Sequence, residues 1–392
     1  MPPPQRLGTG LAIALAAAAA LSGCRTDNPV KSDSPGLVAE QTWKGYKHFF
    51  IAPEGRVLRP RDGDTVSEGQ AYAMLRAAWM RDKETFDRCY RWTEQHLSRA
   101  RKTGDHLLAW RWKDGSVADW MPASDADIDY ALSLLLAETF WMGATPQDLA
   151  PYGGKADKTL QDILSFETRA GPSGRLYLLP WIVREGEASS GSLPQNPSYY
   201  SPAHFRIFFE RSRDPRWLQL VDTGYHVLNE ISDVFEGRQG VGLIPDWCSV
   251  DLNGRFVPLA GKSGNFGWEA VRVPFRIGLD WHWFKTPAAK KLLNGKFAAF
   301  IEAQWQANKA VYSEYAYAGA SANPYENPAY YAGYAIALEV AGSPRAHDMV
   351  QKNRTWLQKS GDGWYYGESA DYYVNSLAWI ADGFHAGIIS KK

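Results

Sequence analysis

Two kinds of apolar pattern alternate along this chain. In segments 36–51, 83–102, 155–168, 215–232, 287–308 and 345–359 the apolar residues recur at helical spacing beside a charged face. That is the pattern of a helix lying half in water. Between them run stretches rich in Ala, Leu and aromatics nearly all round, as in a helix buried on most sides. These begin near Glu68, Asp125, Ser198, Trp268, Asn327 and Tyr372. Each interval holds two helices and a loop. Six such pairs closing into a ring predict an all-α fold, an (α/α)6 barrel with six polar helices outside and six apolar helices inside.

The ring has a consequence for chemistry. If the inner helices all run the same way, their N-termini crowd one end of the barrel. Those starts carry Glu68, Asp125, Asp127, Asn196, Glu269, Glu326, Asn327, Tyr372 and Tyr373. Ser67, Ser124 and Asn327 read as N-caps, residues whose side chains satisfy a first-turn amide. Several acids at one rim exceed what capping requires. A helix N-terminus lowers a carboxylate pKa, so a general acid there needs apolar surroundings to push it back up.

Composition narrows the partners. The 43 basic and 43 acidic residues balance, so nothing points to nucleic acid. No zinc-type Cys/His spacing and no phosphate-cradling glycine loop occurs, and no cofactor or metal is expected. The 17 Trp and 20 Tyr are more than a core needs, and many precede the inner helices: Trp110, Trp112, Trp120, Trp181, Tyr199, Tyr200 and Trp247. Flat rings beside polar groups suit the apolar faces of sugar rings. A polysaccharide is the expected partner, and the chain is expected to act as a monomer. Cys89 and Cys248 either pair or remain buried thiols.

The first residues read as a processing signal. Arg6 precedes a short Ala/Leu run that ends in Leu21-Ser22-Gly23-Cys24, which resembles a bacterial lipobox. By that resemblance residues 1–23 are a signal peptide and Cys24 carries lipid. Residues 24–36 are then a tether and 37–392 one barrel domain. Arg25 after the cysteine favours the outer membrane, so the expected location is the cell envelope, lipid-anchored and facing the periplasm or the cell surface.

Four ordered blocks carry a further resemblance. They are Ser67-Glu68-Gly69-Gln70-Ala71-Tyr72, then Ala123-Ser124-Asp125-Ala126-Asp127 running on through Ala131 to Trp141. Asn196-Pro197-Ser198-Tyr199-Tyr200 and Trp268-Glu269-Ala270-Val271-Arg272-Val273-Pro274 complete the set. Together they resemble glycoside hydrolase family 8, a family of bacterial cellulases, chitosanases and xylanases with an (α/α)6 barrel. The resemblance implies an inverting endo-β-1,4-glucanase acting on cellulose or a related exopolysaccharide. Glu68 would be the general acid, and Asp125 would hold the cleaved sugar and position the attacking water. Glu269 stands where the family's cellulases carry an Asp as general base, after Trp268 in place of Tyr. An inverting site leaves room for a water between base and sugar, so the longer acid is chemically workable. The other reading pairs Glu269 with Arg272 alone and makes Asp246 or Glu326 the base. Trp110, Trp112, Tyr199, Tyr200, Arg272 and Tyr373 are the expected substrate contacts. Chitosan or xylan as substrate, and a glycan-binding lipoprotein without catalysis, are the alternative functions.

Overall fold

The computed structural model describes residues 33–184 and 191–392. Cys24, the signal segment and most of the tether lie outside the described residues. Fourteen α-helices follow in order: α1 (Pro35–Phe50), α2 (Ser67–Trp79), α3 (Lys83–His96), α4 (Ser124–Phe140), α5 (Tyr152–Phe166), α6 (Pro202–Ser212) and α7 (Arg216–Asp233). The second half adds α8 (Val273–Phe284), α9 (Pro287–Leu292), α10 (Ala298–Asn308), α11 (Pro328–Ala341), α12 (Arg345–Arg354), α13 (Tyr372–Leu377) and α14 (Ile380–His385). Helices α2, α4, α6, α8, α11 and α13 pack each on the next, and α13 closes the ring on α2. Outside them lie α1, α3, α5, α7, the α9–α10 pair and α12. The fold is the (α/α)6 barrel expected from the alternating pattern.

Burial follows that division. On α4 every residue from Ser124 to Ala137 is buried, whereas α3 buries one face through Phe86, Cys89, Tyr90 and Trp92. The inner helices touch closely enough to need small residues. A Cβ on Gly278 of α8 would meet Ile336 of α11 at 2.3 Å, well inside van der Waals contact. Cys89 and Cys248 are both buried free thiols. No described helix is long and apolar enough to cross a membrane.

Two inner helices begin later than their apolar runs. Residues 197–199 and 270–272 form single 3-10 turns, and α6 and α8 start only at Pro202 and Val273. Proline fits the first helical turn, where its missing N–H has no partner to lose, so Pro202 and Pro274 set these starts. The connections leaving the C-termini of the inner helices are short, such as 80–82, 213–215 and 342–344. Those entering their N-termini are long, such as 97–123, 167–201 and 234–272, and they contain all the described β-strands. One end of the barrel is therefore a plain turn surface and the other is walled by hairpins.

Candidate active site

At the walled end the helix starts present their acids in an unusual state. Ser67 and Ser124 do not cap: the N-cap positions are Val66 and Ala123, without a side-chain bond, and only Asn327 caps as expected, to the Ala329 amide at 2.9 Å. The backbone enters each helix directly from the preceding segment, and the Ser67 amide donates to the Trp110 carbonyl at 2.9 Å. Glu68 and Asp125 therefore have no capping task and face the barrel mouth.

One arginine gathers them. Arg272, 1% exposed, donates from Nη1 to Glu68 Oε2 at 2.7 Å and to Asp125 Oδ2 at 2.8 Å. Its Nη2 pairs with Glu269 Oε2, and its Nε reaches Ser198 Oγ at 3.2 Å. Asn196 continues the network. Its Nδ2 donates to Glu269 Oε2 at 2.9 Å, while its Oδ1 accepts from the Ser198 amide and hydroxyl. Tyr372 at the start of α13 donates to Glu68 Oε1 at 2.9 Å. Gly69 lets it approach, since a Cβ there would already lie 3.2 Å from the Tyr372 ring.

Three carboxyls share one guanidinium, so charge is unbalanced. Burial pushes the Glu68 carboxyl up to about 7; Asp125 and Glu269 add to the rise, and Arg272 and the Tyr372 hydroxyl oppose it. Burial raises Asp125 too, with Arg272 pulling it back. Oδ1 of Asp125 is buried and accepts no hydrogen bond, so it is an unmet acceptor at the start of α4. The Glu269 side chain is 30% exposed, the most open of the three acids. At Glu68 burial supplies the lift that an acid at a helix start requires.

The two other acids weighed as bases are occupied elsewhere. Asp246 Oδ1 accepts the amides of Gly267, Glu269 and Ala270 at 2.8–3.0 Å and so fixes the turn that carries Glu269. Burial still pushes it up to about 7. Glu326 accepts from the Tyr331 hydroxyl and pairs with Lys352 at 3.0 Å.

The aromatics divide into two groups. A pocket of about 310 Å³ opens beside Glu68 and Glu269, lined also by Arg59, Trp268, Asp371 and Tyr373. Trp268, 38% exposed, is edge-on to Tyr373 at 6.1 Å between ring centres, and the Tyr373 hydroxyl donates to its carbonyl. On the α4 side Tyr199 lies over the Arg272 guanidinium at 5.1 Å and against Trp247, which meets Trp181 at 5.8 Å. Trp110 stands half-buried beside the start of α2. Two expected substrate contacts, Tyr200 and Arg272, need correction; Trp112 stays half-buried, as Trp110 does. Tyr200 is 1% exposed, and its hydroxyl bonds the Leu178 amide and Gln195 inside the core. Trp112 packs edge-on against Trp92 of α3, under Arg56. Arg272 uses its donors on the acids and lies beneath them. Trp268, Tyr372, Asn196 and Ser198 were absent from the expected site; each stands at a helix start, but no sequence spacing shows that its side chain turns toward the acids. Among the described residues no group of His, Cys, Asp and Glu is arranged to hold a metal ion.

Comparison with known proteins places this geometry. The family model for glycosyl hydrolases family 8 matches residues 19–384. Endoglucanase A of Acetivibrio thermocellus is 27% identical over 352 residues, covering 86% of this chain and 66% of that protein. An endoglucanase of Escherichia coli K12 is 32% identical over 244 residues, 60% of this chain and 61% of that one. The chain spans about half to two thirds of the length of the first curated relatives it matches. The endo-beta-1,4-glucanase structure from Acetobacter xylinum superposes with a TM-score of 0.68 at 24% identity, covering 90% of this chain and 98% of that one. An endo-1,4-D-glucanase from Vibrio fischeri gives 0.72 at 23% identity, with 88% and 94% covered; these two share the fold. With its model matched over nearly the whole length, the chain belongs to glycosyl hydrolases family 8.

Proposed function

We propose that this protein is an inverting endo-β-1,4-glucanase acting on cellulose or a related exopolysaccharide. The observation that carries the reading is the convergence of Glu68, Asp125 and Glu269 on Arg272 in an open, aromatic-lined cleft, with Glu68 lifted to about 7. A carboxyl that keeps its proton near neutrality is suited to protonate a leaving glycosidic oxygen. Glu269, more exposed and steadied by Asn196, accepts the proton of the attacking water. Asp125 offers its unmet acceptor Oδ1 to a hydroxyl of the cleaved sugar or to that water. Trp268 and Tyr373 on one side, and Trp181 on the other, provide faces for sugar rings along the cleft, with the buried Trp247 packed against both Trp181 and the buried Tyr199. A glycan-binding role without catalysis leaves the lifted Glu68 unexplained. The relatives' names as endoglucanases support the choice of a β-1,4-glucan.

The stereochemical test is direct. Proton NMR during early hydrolysis of a soluble β-1,4-glucan is expected to show the α-anomer first. Initial β-anomer would mean a covalent intermediate, with carboxyls only about 5–5.5 Å apart, and would sink the reading. For location, the lipobox at Cys24 supports anchoring to the envelope. A Cys24→Ala chain is expected to leave the membrane fraction; its retention there would remove the anchor.

A further inference from the structure

Behind Asp125 lies a second pair of acids that the proposed chemistry does not use. Asp127 stands two residues further along α4 and is 0% exposed. Glu167, also 0% exposed, follows the last residue of α5. Its amide closes that helix on the Ile163 carbonyl at 2.9 Å, and its carbonyl accepts the Leu179 amide at 2.7 Å. The Glu167 carboxyl faces the Asp127 carboxyl, yet as two ionised acceptors they make no hydrogen bond to each other. Asp127 Oδ1 accepts the Leu108 amide at 2.8 Å. Neither Oδ2 of Asp127 nor either Glu167 oxygen receives an N–H or O–H from any other described residue.

Charge neutralisation from outside is blocked. The charged groups facing the pair are Arg99, Asp105 and Asp125. Arg99 donates Nε and Nη2 to Asp105, both at 2.8 Å, and its Nη1 to the Trp120 carbonyl. Its guanidinium is already matched, and the remaining neighbours are acids. Two ionised carboxyls carry only acceptors and cannot bond each other; one proton makes one of them a donor. Two adjacent charges at full burial are too costly to keep, whereas the single charge left by one shared proton is met by the Leu108 amide.

We propose that Asp127 and Glu167 share one proton, and that this buried acid pair is a positioning strut holding the start of α4, and with it Asp125, against the end of α5 and segment 105–108. Glu167 is thus a positioning residue for the site, and this role rests on the reading of Asp125 given above. Burial holds both carboxyls well above the usual carboxylate range. The folded chain then binds more protons here than the unfolded chain does. Stability must fall as pH rises through the raised values.

The test compares Glu167→Gln with Glu167→Ala in the full chain. Melting temperature is measured from mildly acid to alkaline pH, and kcat and KM on a soluble β-1,4-glucan at each pH. Gln supplies a permanent donor without a titrating proton. Its melting temperature is expected to fall less steeply toward alkaline pH than the wild type's, with kcat kept within roughly twofold. Ala strands the Asp127 charge, so it is expected to lower the melting temperature and to cut kcat more than it changes KM. Gln as damaging as Ala, or a Gln variant whose melting temperature runs parallel to the wild type's across the range, would overturn the shared proton. An Ala variant with wild-type kcat would overturn the positioning of Asp125. Failure of the glucanase reading shows separately, as a wild-type chain that releases no reducing ends from the glucan, and leaves the melting curves to judge the strut.

Discussion

One turn apart, α4 and the segment running from the 270–272 turn into α8 form two arginine–aspartate pairs with opposite characters. At the mouth, Arg272 meets Asp125, Glu68 and Glu269. Four residues deeper, Arg276 meets Asp129 through both its terminal nitrogens, and His204 Nε2 lies 3.0 Å from the same carboxyl. Both arginines are 1% exposed, so burial of the cation does not separate them. The number of acids does, together with access to water. The deep pair is one to one: burial would raise Asp129, but the Arg276 charge and the bonds from His204 and Arg276 hold it at about 2. At the mouth one positive charge serves three carboxyls, and Glu68 is left at about 7. The same interaction is a fixed staple where charge balances and a proton reservoir where it does not.

The strongest way to break the comparison is to remove the transferable proton. Glu68→Gln keeps shape and relieves repulsion, so the melting temperature should hold or rise. Turnover should fall about 10²–10⁴-fold, the usual worth of general acid–base catalysis. Reducing-end release beside a melting curve checks both halves; a variant with more than about a tenth of the wild-type rate contradicts the role.

Glu269 tests whether the mouth acids do different work. Glu269→Gln is expected to silence hydrolysis without unfolding the chain, with azide restoring part of the turnover, and Glu269→Asp to keep a measurable fraction. Rates for these variants beside Asp246→Asn and Glu326→Gln decide it. If Gln at 269 costs only modest stability, Glu269 is a partner of Arg272 and the base lies elsewhere.

The deep pair should respond in stability and not in chemistry. Arg276→Met strands a buried carboxylate and is expected to cost about 3–5 kcal/mol, read by denaturant unfolding. Adding Asp129→Asn should recover part of the loss. Because the Asp129 pKa is depressed, its contribution is present above the unfolded carboxylate range and disappears as pH falls toward about 2. A single variant as stable as the wild type would remove the distinction between the two pairs.

The smallest effect concerns Tyr372. Its hydroxyl bond favours the ionised form of Glu68. Tyr372→Phe should therefore move the alkaline limb of the pH–rate profile upward by a fraction of a unit, with the maximal rate little changed. A downward shift would mean that the hydroxyl supports the protonated form.

Much of this was legible before any coordinates. Six all-round apolar stretches between six amphipathic ones gave the barrel, because a helix buried on every side leaves no polar face in its sequence. Glu68 and Asp125 stood out among several acids at one rim, and their roles came from the resemblance of their segments to glycoside hydrolase family 8. The capping expectation failed at Ser67 and Ser124, where the preceding segment runs extended into the helix and the hydroxyl does not reach the first-turn amides. Tyr200 read as an aromatic beside the cleft, but it sits next to Tyr199 and turns the other way, into Gln195. Glu167 gave no signal, since an acid at the end of an amphipathic helix is ordinarily solvated.

The sequence by itself determined which helices are inner, which end of the barrel carries acids and which residues are acidic there, since periodicity and residue type are local properties. Tertiary structure alone decided that residues 68, 125 and 269 meet on one guanidinium, that Glu68 is lifted to about 7 and Asp129 held at about 2, and that Glu167 faces Asp127. A carboxyl's proton affinity depends on the charges and the burial around it, and those neighbours come from parts of the chain that only the closed ring brings together.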